Sequence, residues 1–241
     1  MTTGTEVSSP CVPHLEEAVL ATSRYLATVQ RLTDADLREP SLLPGWTRGH
    51  VVTHLSRNAD ALCNLLRWAL TGDVCPMYHS QEHRDADVED GAGRSAAELA
   101  RDAIYSADRF ERAARMLPQE RWEVMVTRTP GSDPFAVGGV GAMRRTEVEV
   151  HHADLGVGYT AADWPADLLE HLLQRRESEL TEAGHDLALE LADLDRRIEI
   201  GSGGPTVVGT TPDVVWWLLG RGDGEGLACS GGTLPALGKW R

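Results

Sequence analysis

Lysine is almost absent from this chain. Lys239 is the one lysine, so 22 of the 23 basic residues are arginine. Asparagine and phenylalanine each occur twice, and isoleucine occurs three times. Residues with A/T-rich codons are therefore scarce, which is typical of a high-G+C genome such as that of an actinobacterium. The arginine excess thus reflects genome composition more than selection for arginine chemistry.

Positive charge is also in short supply. The 241 residues carry 23 Lys and Arg against 37 Asp and Glu, a formal net charge of −14. Non-specific nucleic-acid binders and proteins attracted to anionic lipids both need a cationic surface. No stretch approaches the roughly 18 consecutive apolar residues of a membrane span. We therefore expect neither nucleic acid nor a membrane among the partners.

Paired-cysteine motifs and a secretory signal are missing too. The four cysteines lie at Cys11, Cys63, Cys75 and Cys229 and form no C-x-x-C pair, which argues against zinc-knuckle and thioredoxin-like sites. The first ten residues, MTTGTEVSSP, have neither the basic nor the apolar region of a signal peptide. We therefore expect a cytoplasmic protein with reduced thiols.

Helical periodicity dominates the first two thirds of the chain. It predicts four helices, over residues 13–32, 47–70, 95–117 and 140–155. Thr47 and the pair Ser95 and Glu98 are suitable N-terminal caps, and Gly72 is a suitable end. The acidic, irregular residues 73–93 are interpreted as a surface loop. Four helices with one long excursion indicate a bundle.

A different texture follows residue 159. A helix is predicted to about Ala183, then strands at Leu187–Leu191, Arg196–Ile200 and Pro205–Gly209, and a last helix from Thr211. This mixture of helices and strands predicts an α+β protein with two domains. We place them at residues 1–160, a bundle, and residues 161–241, a smaller domain.

Histidines on two of the predicted helices form a candidate metal site. His50 and His54 lie one turn apart on the second helix, and Glu147 and His151 lie one turn apart on the fourth, beside His152 and shortly before Asp154. Facing helices of a bundle commonly supply metal ligands. Two imidazoles and a carboxylate with one open position are typical of catalytic zinc. The alternative is that Glu147 pairs with a neighbouring arginine and that the histidines are surface or core groups.

Arg221 is the one arginine whose setting indicates a function. It follows an apolar helix and lies between Gly220 and Gly222. An arginine fork there can bind a carboxylate in bidentate fashion. The alternative is that Arg221 contacts the carbonyl groups at the end of its own helix.

Several motifs together resemble the mycothiol-dependent maleylpyruvate isomerase family. They are LLPGWTRGHVVTH at Leu42–His54, the following NADALCNLLRWALTG, Pro76-Met77-Tyr78, EVEVHHADLG at Glu147–Gly156, and Gly220-Arg221-Gly222. They occur in the family's order and cover most of the chain. The resemblance implies a DinB-like four-helix bundle followed by a smaller sterol-carrier-like α/β domain.

The resemblance also implies the site. Its metal ligands would be His54, Glu147 and His151, with His50 as a spare or supporting imidazole, and Arg221 would act in catalysis. The cofactors would be Zn²⁺, or a similar divalent metal, and mycothiol. The substrate would be a small anionic electrophile, maleylpyruvate, converted to fumarylpyruvate by thiolate addition, bond rotation and elimination. Asp154 would then be a candidate to orient one of the ligand histidines.

Two other functions stay open at this stage. A mycothiol S-transferase would leave the thiol on its product, and a metal-binding module would carry out no reaction. Residues 79–94 and the chain after Gly222 do not match the family's pattern, and loops of this kind set substrate choice.

Overall fold

A computed structural model describes residues 11–237, and these residues divide between His152 and Ala153 into two compact units. The ten amino-terminal residues, in which no secretory signal is expected, lie outside the described part. Among the described residues, no helix is long and apolar enough to cross a membrane.

The described residues of the amino-terminal unit form six α-helices. They are α1 (Leu15–Val29), α2 (Asp34–Arg38), α3 (Arg48–Thr71), α4 (Gln81–Ala92), α5 (Ala96–Met116) and α6 (Val140–Asp154), whose last two residues belong to the second unit. The long helices α1, α3, α5 and α6 correspond to the four predicted ones. Their apolar stripes meet in a core that includes Leu15, Leu62, Leu65 and Phe110. The predicted bundle is therefore present.

The predicted helix caps are confirmed. The Thr47 hydroxyl accepts a hydrogen bond from the amide of His50, and the His50 ring accepts one from the amide of Thr47 at 3.2 Å. Ser95 and Glu98 form the same reciprocal arrangement at the start of α5. Gly72, with φ of 84°, ends α3 in the left-handed conformation that glycine adopts at low cost.

The expectation of a loop over residues 73–93 is wrong for its second half, which forms α4. The Ser80 hydroxyl caps this helix, and Gln81 donates to Asp85 at 2.8 Å along its surface. Only Val88 and Gly91 of α4 are buried. Because so few of its residues are buried, α4 shows no apolar periodicity in the sequence. The helix depends instead on its cap, its polar pairs and a narrow contact with α3.

Gly49 lies where α3 passes closest to the end of α4. A methyl group at this position would collide with the backbone oxygen of Ala92. Because this oxygen belongs to the main chain, it cannot move aside as the end of a flexible side chain can. Gly49→Ala is therefore expected to lower the free energy of unfolding by about 1–3 kcal/mol despite the better helix propensity of alanine. Urea denaturation measures the change. Gly93→Ala is the control, since its methyl group would meet no atom within 4 Å.

A short hairpin precedes α6. It pairs β1 (Met125–Val126) with β2 (Phe135–Ala136) in antiparallel register. The alternating residues 122–127 predict a longer strand than the structure contains. Beyond the two paired residues, the carbonyl oxygens of Val124 and Trp122 accept hydrogen bonds from the amides of Val137 and Gly138, so the contact continues without regular strand geometry.

The second unit packs helices with a four-stranded sheet. It contains α7 (Ala166–Glu182), β3 (Leu187–Leu191), β4 (Arg196–Ile200), β5 (Thr206–Gly209), α8 (Thr211–Leu218) and β6 (Ala228–Cys229), with strand order β4-β3-β5-β6. β3 runs antiparallel to β4 and parallel to β5. The predicted strands and last helix are present, although β6 was not predicted. The predicted α+β class is confirmed.

Candidate metal centre

Three predicted ligands meet between α3 and α6. Glu147 Oε2 lies 3.0 Å from His54 Nε2 and 3.6 Å from His151 Nε2. The two imidazole rings stand edge to face, with centroids 4.5 Å apart. One ligand atom from each side chain lies within 4.8 Å of the other two. The one-turn spacing of Glu147 and His151 on α6 thus places both opposite His54.

These distances fit a divalent metal such as zinc. Zinc bonds of about 2.0–2.2 Å to nitrogen and oxygen at tetrahedral angles place neighbouring ligand atoms roughly 3.3 Å apart. The measured separations from Glu147 Oε2 lie on either side of that value. Two imidazoles and one carboxylate are also a ligand set that suits zinc, with a position left for a further ligand. The site therefore has the donors and the spacing that a catalytic metal needs.

Burial sets the charge of the ligands. Burial, together with the charge of the neighbouring His151, lowers the pKa of His54 to about 4, although the hydrogen bond to Glu147 acts in the opposite direction. Burial acts in the opposite direction on Glu147, but its hydrogen bond to His54 and the charges of nearby groups outweigh it and hold the pKa of Glu147 well below its usual range. At neutral pH, His54 is therefore a neutral imidazole and Glu147 a carboxylate, the forms that bind metals.

Arg144 fixes α6 against α3 one turn before Glu147. Its buried guanidinium donates from Nη1 to the carbonyl oxygen of Leu55 at 2.7 Å and to Asn58 Oδ1 at 2.9 Å. Arg144 is therefore engaged with α3, while Glu147 hydrogen-bonds to His54. The structure therefore does not show Glu147 paired with Arg144, which was one form of the alternative.

Arg84 approaches the site from α4. Its Nη2 lies 3.3 Å from His54 Nδ1, on the opposite side of the ring from Glu147. It also lies over the ring of Tyr78, at 5.9 Å from the ring centroid. Burial, aided by the charge of Glu147, raises the pKa of Tyr78 to about 12, so this phenol keeps its proton at neutral pH. Arg84 escaped prediction because residues 73–93 were expected to form a loop.

His50 and His152 lie outside the group of three ligands. His50 contributes to the cap of α3, and its Nε2 lies 3.1 Å from Glu89 Oε2. Trp46 stacks on the ring of His50 and also contacts that of His54. His152 Nε2 lies 2.9 Å from the hydroxyl of Thr28 on α1. Of the two predicted histidines on α3, the structure therefore brings only His54 to the candidate site.

Comparisons with known proteins identify the family. Residues 19–156 match the family described as the mycothiol maleylpyruvate isomerase N-terminal domain, which is more than half of the chain. The chain belongs to the mycothiol maleylpyruvate isomerase family. The resemblance drawn from the motifs is thereby confirmed.

Two solved members of this family are similar over their full length. One is the crystal structure of the mycothiol-dependent maleylpyruvate isomerase, with a TM-score of 0.87 and 32% identity, covering 100% of both chains. The other is a histidine-to-alanine mutant with the same description, with a TM-score of 0.87, 31% identity and 100% coverage of both chains. Among curated proteins, none matches the chain.

The family resemblance implies a catalytic role for Arg221, which contacts two residues of the second unit. Its Nη2 lies 3.2 Å from Oδ2 of the buried Asp154, and its Nη1 donates to the carbonyl oxygen of Leu219 at 2.8 Å. The predicted contact with the end of its own helix is therefore present. The partnership with Asp154 could not be predicted, because 67 residues separate the two.

Cys63 is a poor candidate for the reactive thiol. Burial raises its pKa to about 11, with a further contribution from the nearby carboxylate of Asp60. A thiol with this pKa is almost wholly protonated at neutral pH, and the thiolate is the nucleophile. Cys63 is therefore better explained by its partly buried place beside the bundle core.

Proposed function

We propose that this protein is a zinc- and mycothiol-dependent isomerase that converts maleylpyruvate to fumarylpyruvate. The observation that carries the proposal is the set of His54, Glu147 and His151 in a chain of this family. The full-length likeness to a mycothiol-dependent maleylpyruvate isomerase supports it. We further propose that residues 1–160 form a DinB-like metal-binding bundle and residues 161–241 a sterol-carrier-like domain.

The ligands would hold the metal in a way that suits thiol chemistry. His54 and His151 donate neutral nitrogen and Glu147 one negative charge, so a bound Zn²⁺ keeps a net positive charge. When bound, such a metal lowers the pKa of a coordinated thiol and makes the thiolate of mycothiol available at neutral pH. Burial of His54 and His151 keeps bulk water from competing for the ligand atoms.

The chemistry of the substrate explains the need for a thiolate. The cis double bond of maleylpyruvate is conjugated to a carbonyl group and accepts a nucleophile. The former double bond is single while the sulfur is attached, so it rotates, and loss of the sulfur restores a trans double bond. The thiol is recovered unchanged, and no atom of the substrate is lost.

The S-transferase is the second candidate, because residues 79–94, which place Arg84 beside His54, lie outside the motifs that indicated the family. The test is chromatographic separation of the reaction products, which resolves the cis and trans isomers, followed by mass spectrometry, for maleylpyruvate and for other electrophiles in the presence of mycothiol. The isomerase gives fumarylpyruvate and free mycothiol. A stable thioether from another electrophile, with no turnover of maleylpyruvate, would favour the transferase, and absence of any product would favour a binding module.

We propose that Arg221 acts in catalysis by binding a substrate carboxylate or stabilising enolate charge. Arg221→Gln is expected to lower kcat/KM about a hundredfold while zinc content stays at the wild-type level. Steady-state kinetics and metal analysis of the purified variant measure both quantities. Full activity with bound zinc would contradict this role.

A structural effect of the same substitution needs a separate control, since Arg221 also pairs with buried Asp154. The double variant Asp154→Asn, Arg221→Gln removes the carboxylate charge along with its cationic partner. If stability recovers in the double variant and activity does not, the lost activity belongs to Arg221 itself. If both recover together, Arg221 acts only by holding the fold.

A further inference from the structure

Arg84 and a bound metal ion place opposite requirements on the position of the proton of the His54 ring. A guanidinium has donors and no acceptor, so the 3.3 Å contact between Arg84 Nη2 and His54 Nδ1 requires Nδ1 to accept. The proton of the neutral ring then sits on Nε2, which donates to Glu147 at 3.0 Å. The hydrogen bonds around His54 thus select one tautomer.

A metal at this site requires the other tautomer. Nε2 is the atom of His54 that lies beside Glu147, so it must give its lone pair to a metal held by both residues. The ring proton then moves to Nδ1, where metal-bound histidines usually donate to a carboxylate or carbonyl oxygen. Nδ1–H and the N–H groups of Arg84 are both donors. They cannot form a hydrogen bond, and the metal adds repulsion between two cations.

The side chain of Arg84 has space to move away from His54. It lines a cavity of about 260 Å³ together with Tyr78, His79, His83 and Asp87. Arg84 also lies over the ring of Tyr78 and forms an ion pair with the exposed Asp85, its immediate neighbour on α4. Surface pairs of this kind contribute little to stability. Two buried residues hold α4 itself. Release of Arg84 from His54 therefore breaks few contacts.

We propose that Arg84 leaves His54 when the metal binds and that its guanidinium then binds a carboxylate of the substrate beside the metal centre. The second half rests on the proposed function, in which the substrate is a small dianion. The chain carries a net charge of −14, so it repels a dianion overall and needs local cations to bind one. The arginine fork matches a carboxylate in geometry as well as in charge.

Calorimetric titration of zinc into the metal-free protein tests the displacement without any turnover. Arg84→Gln removes the competing cation and is expected to bind zinc about three- to tenfold more tightly than the wild type. Arg112→Gln is the matched control, because Arg112 is an exposed arginine on α5 that also pairs with a nearby aspartate. It should bind zinc as the wild type does. Equal or weaker zinc binding by Arg84→Gln would overturn the displacement.

Steady-state kinetics of the zinc-loaded variants test the substrate contact. Arg84→Gln is expected to raise KM for maleylpyruvate about tenfold or more with a smaller change in kcat, and Arg84→Lys to restore part of the loss by keeping the charge. An unchanged KM in Arg84→Gln, or no difference between the two variants, would overturn the contact. If the wild type itself does not isomerise maleylpyruvate, the proposed function fails, while the zinc titration still decides the displacement.

Discussion

Replacing His54 with alanine is expected to remove stoichiometric zinc and to lower the rate of isomerisation about a thousandfold or more. Three side chains supply the candidate ligand atoms, and the substitution leaves Glu147 and His151 alone on one helix. Two ligands one turn apart bind zinc far more weakly than a closed set of three, because the bundle no longer presents a partner from α3. Metal analysis and turnover of the purified variant measure the two losses.

His50→Ala is the matched control for this variant. His50 lies one turn before His54 on α3, yet its ring bonds to the cap of the helix and to Glu89. The His50→Ala variant should lose some stability because its helix cap is weakened, and its zinc content and kcat should stay close to those of the wild type. Full zinc content in His54→Ala, or loss of zinc in His50→Ala alone, would show that the ligands are wrongly assigned.

Omission of mycothiol is expected to reduce turnover of maleylpyruvate about a thousandfold or more, even with zinc bound. In the proposed mechanism the substrate isomerises only while a sulfur is attached, and Cys63 is a poor substitute for the thiol of mycothiol. Cys63 has a pKa of about 11 and is protonated at neutral pH. The assay compares initial rates with and without added mycothiol in the same zinc-loaded preparation.

A variant in which all four cysteines are replaced by serine controls for the protein's own thiols. It should keep the mycothiol-dependent rate within a few-fold of the wild type, provided that its unfolding midpoint is similar. Turnover that persists without mycothiol in the wild type, and disappears in the cysteine-free variant, would show that the nucleophile belongs to the protein.

Local signals made the bundle and the faces that carry the three candidate ligands predictable. The caps at Thr47 and Ser95, the glycine after α3 and the apolar stripes each act within one or two helical turns, so the sequence carries them directly. The spacing of Glu147 and His151 places both on one face of α6 in the same way. That His54 rather than His50 faces them came from the family resemblance, and the structure shows why: His50 is engaged in the cap.

Long-range partners and weakly amphipathic elements were not predictable. The helix α4 buries only Val88 and Gly91, so no periodic apolar pattern distinguishes it from an acidic loop. Arg84 reaches His54 only because this helix forms and packs on α3. The pairing of Arg221 with Asp154 likewise depends on folding of the second unit. In each case, the information lies in tertiary contacts that no local pattern encodes.

The central claim is that mycothiol is recovered in each turnover. It is tested most directly by the time course of fumarylpyruvate formation with one molecule of mycothiol for about every ten molecules of maleylpyruvate. A zinc-loaded isomerase is predicted to convert all of the maleylpyruvate, with the mycothiol recovered as the free thiol at the end. Conversion that stops once the mycothiol is consumed as a thioether, or conversion at the same rate with no mycothiol present, would contradict the account.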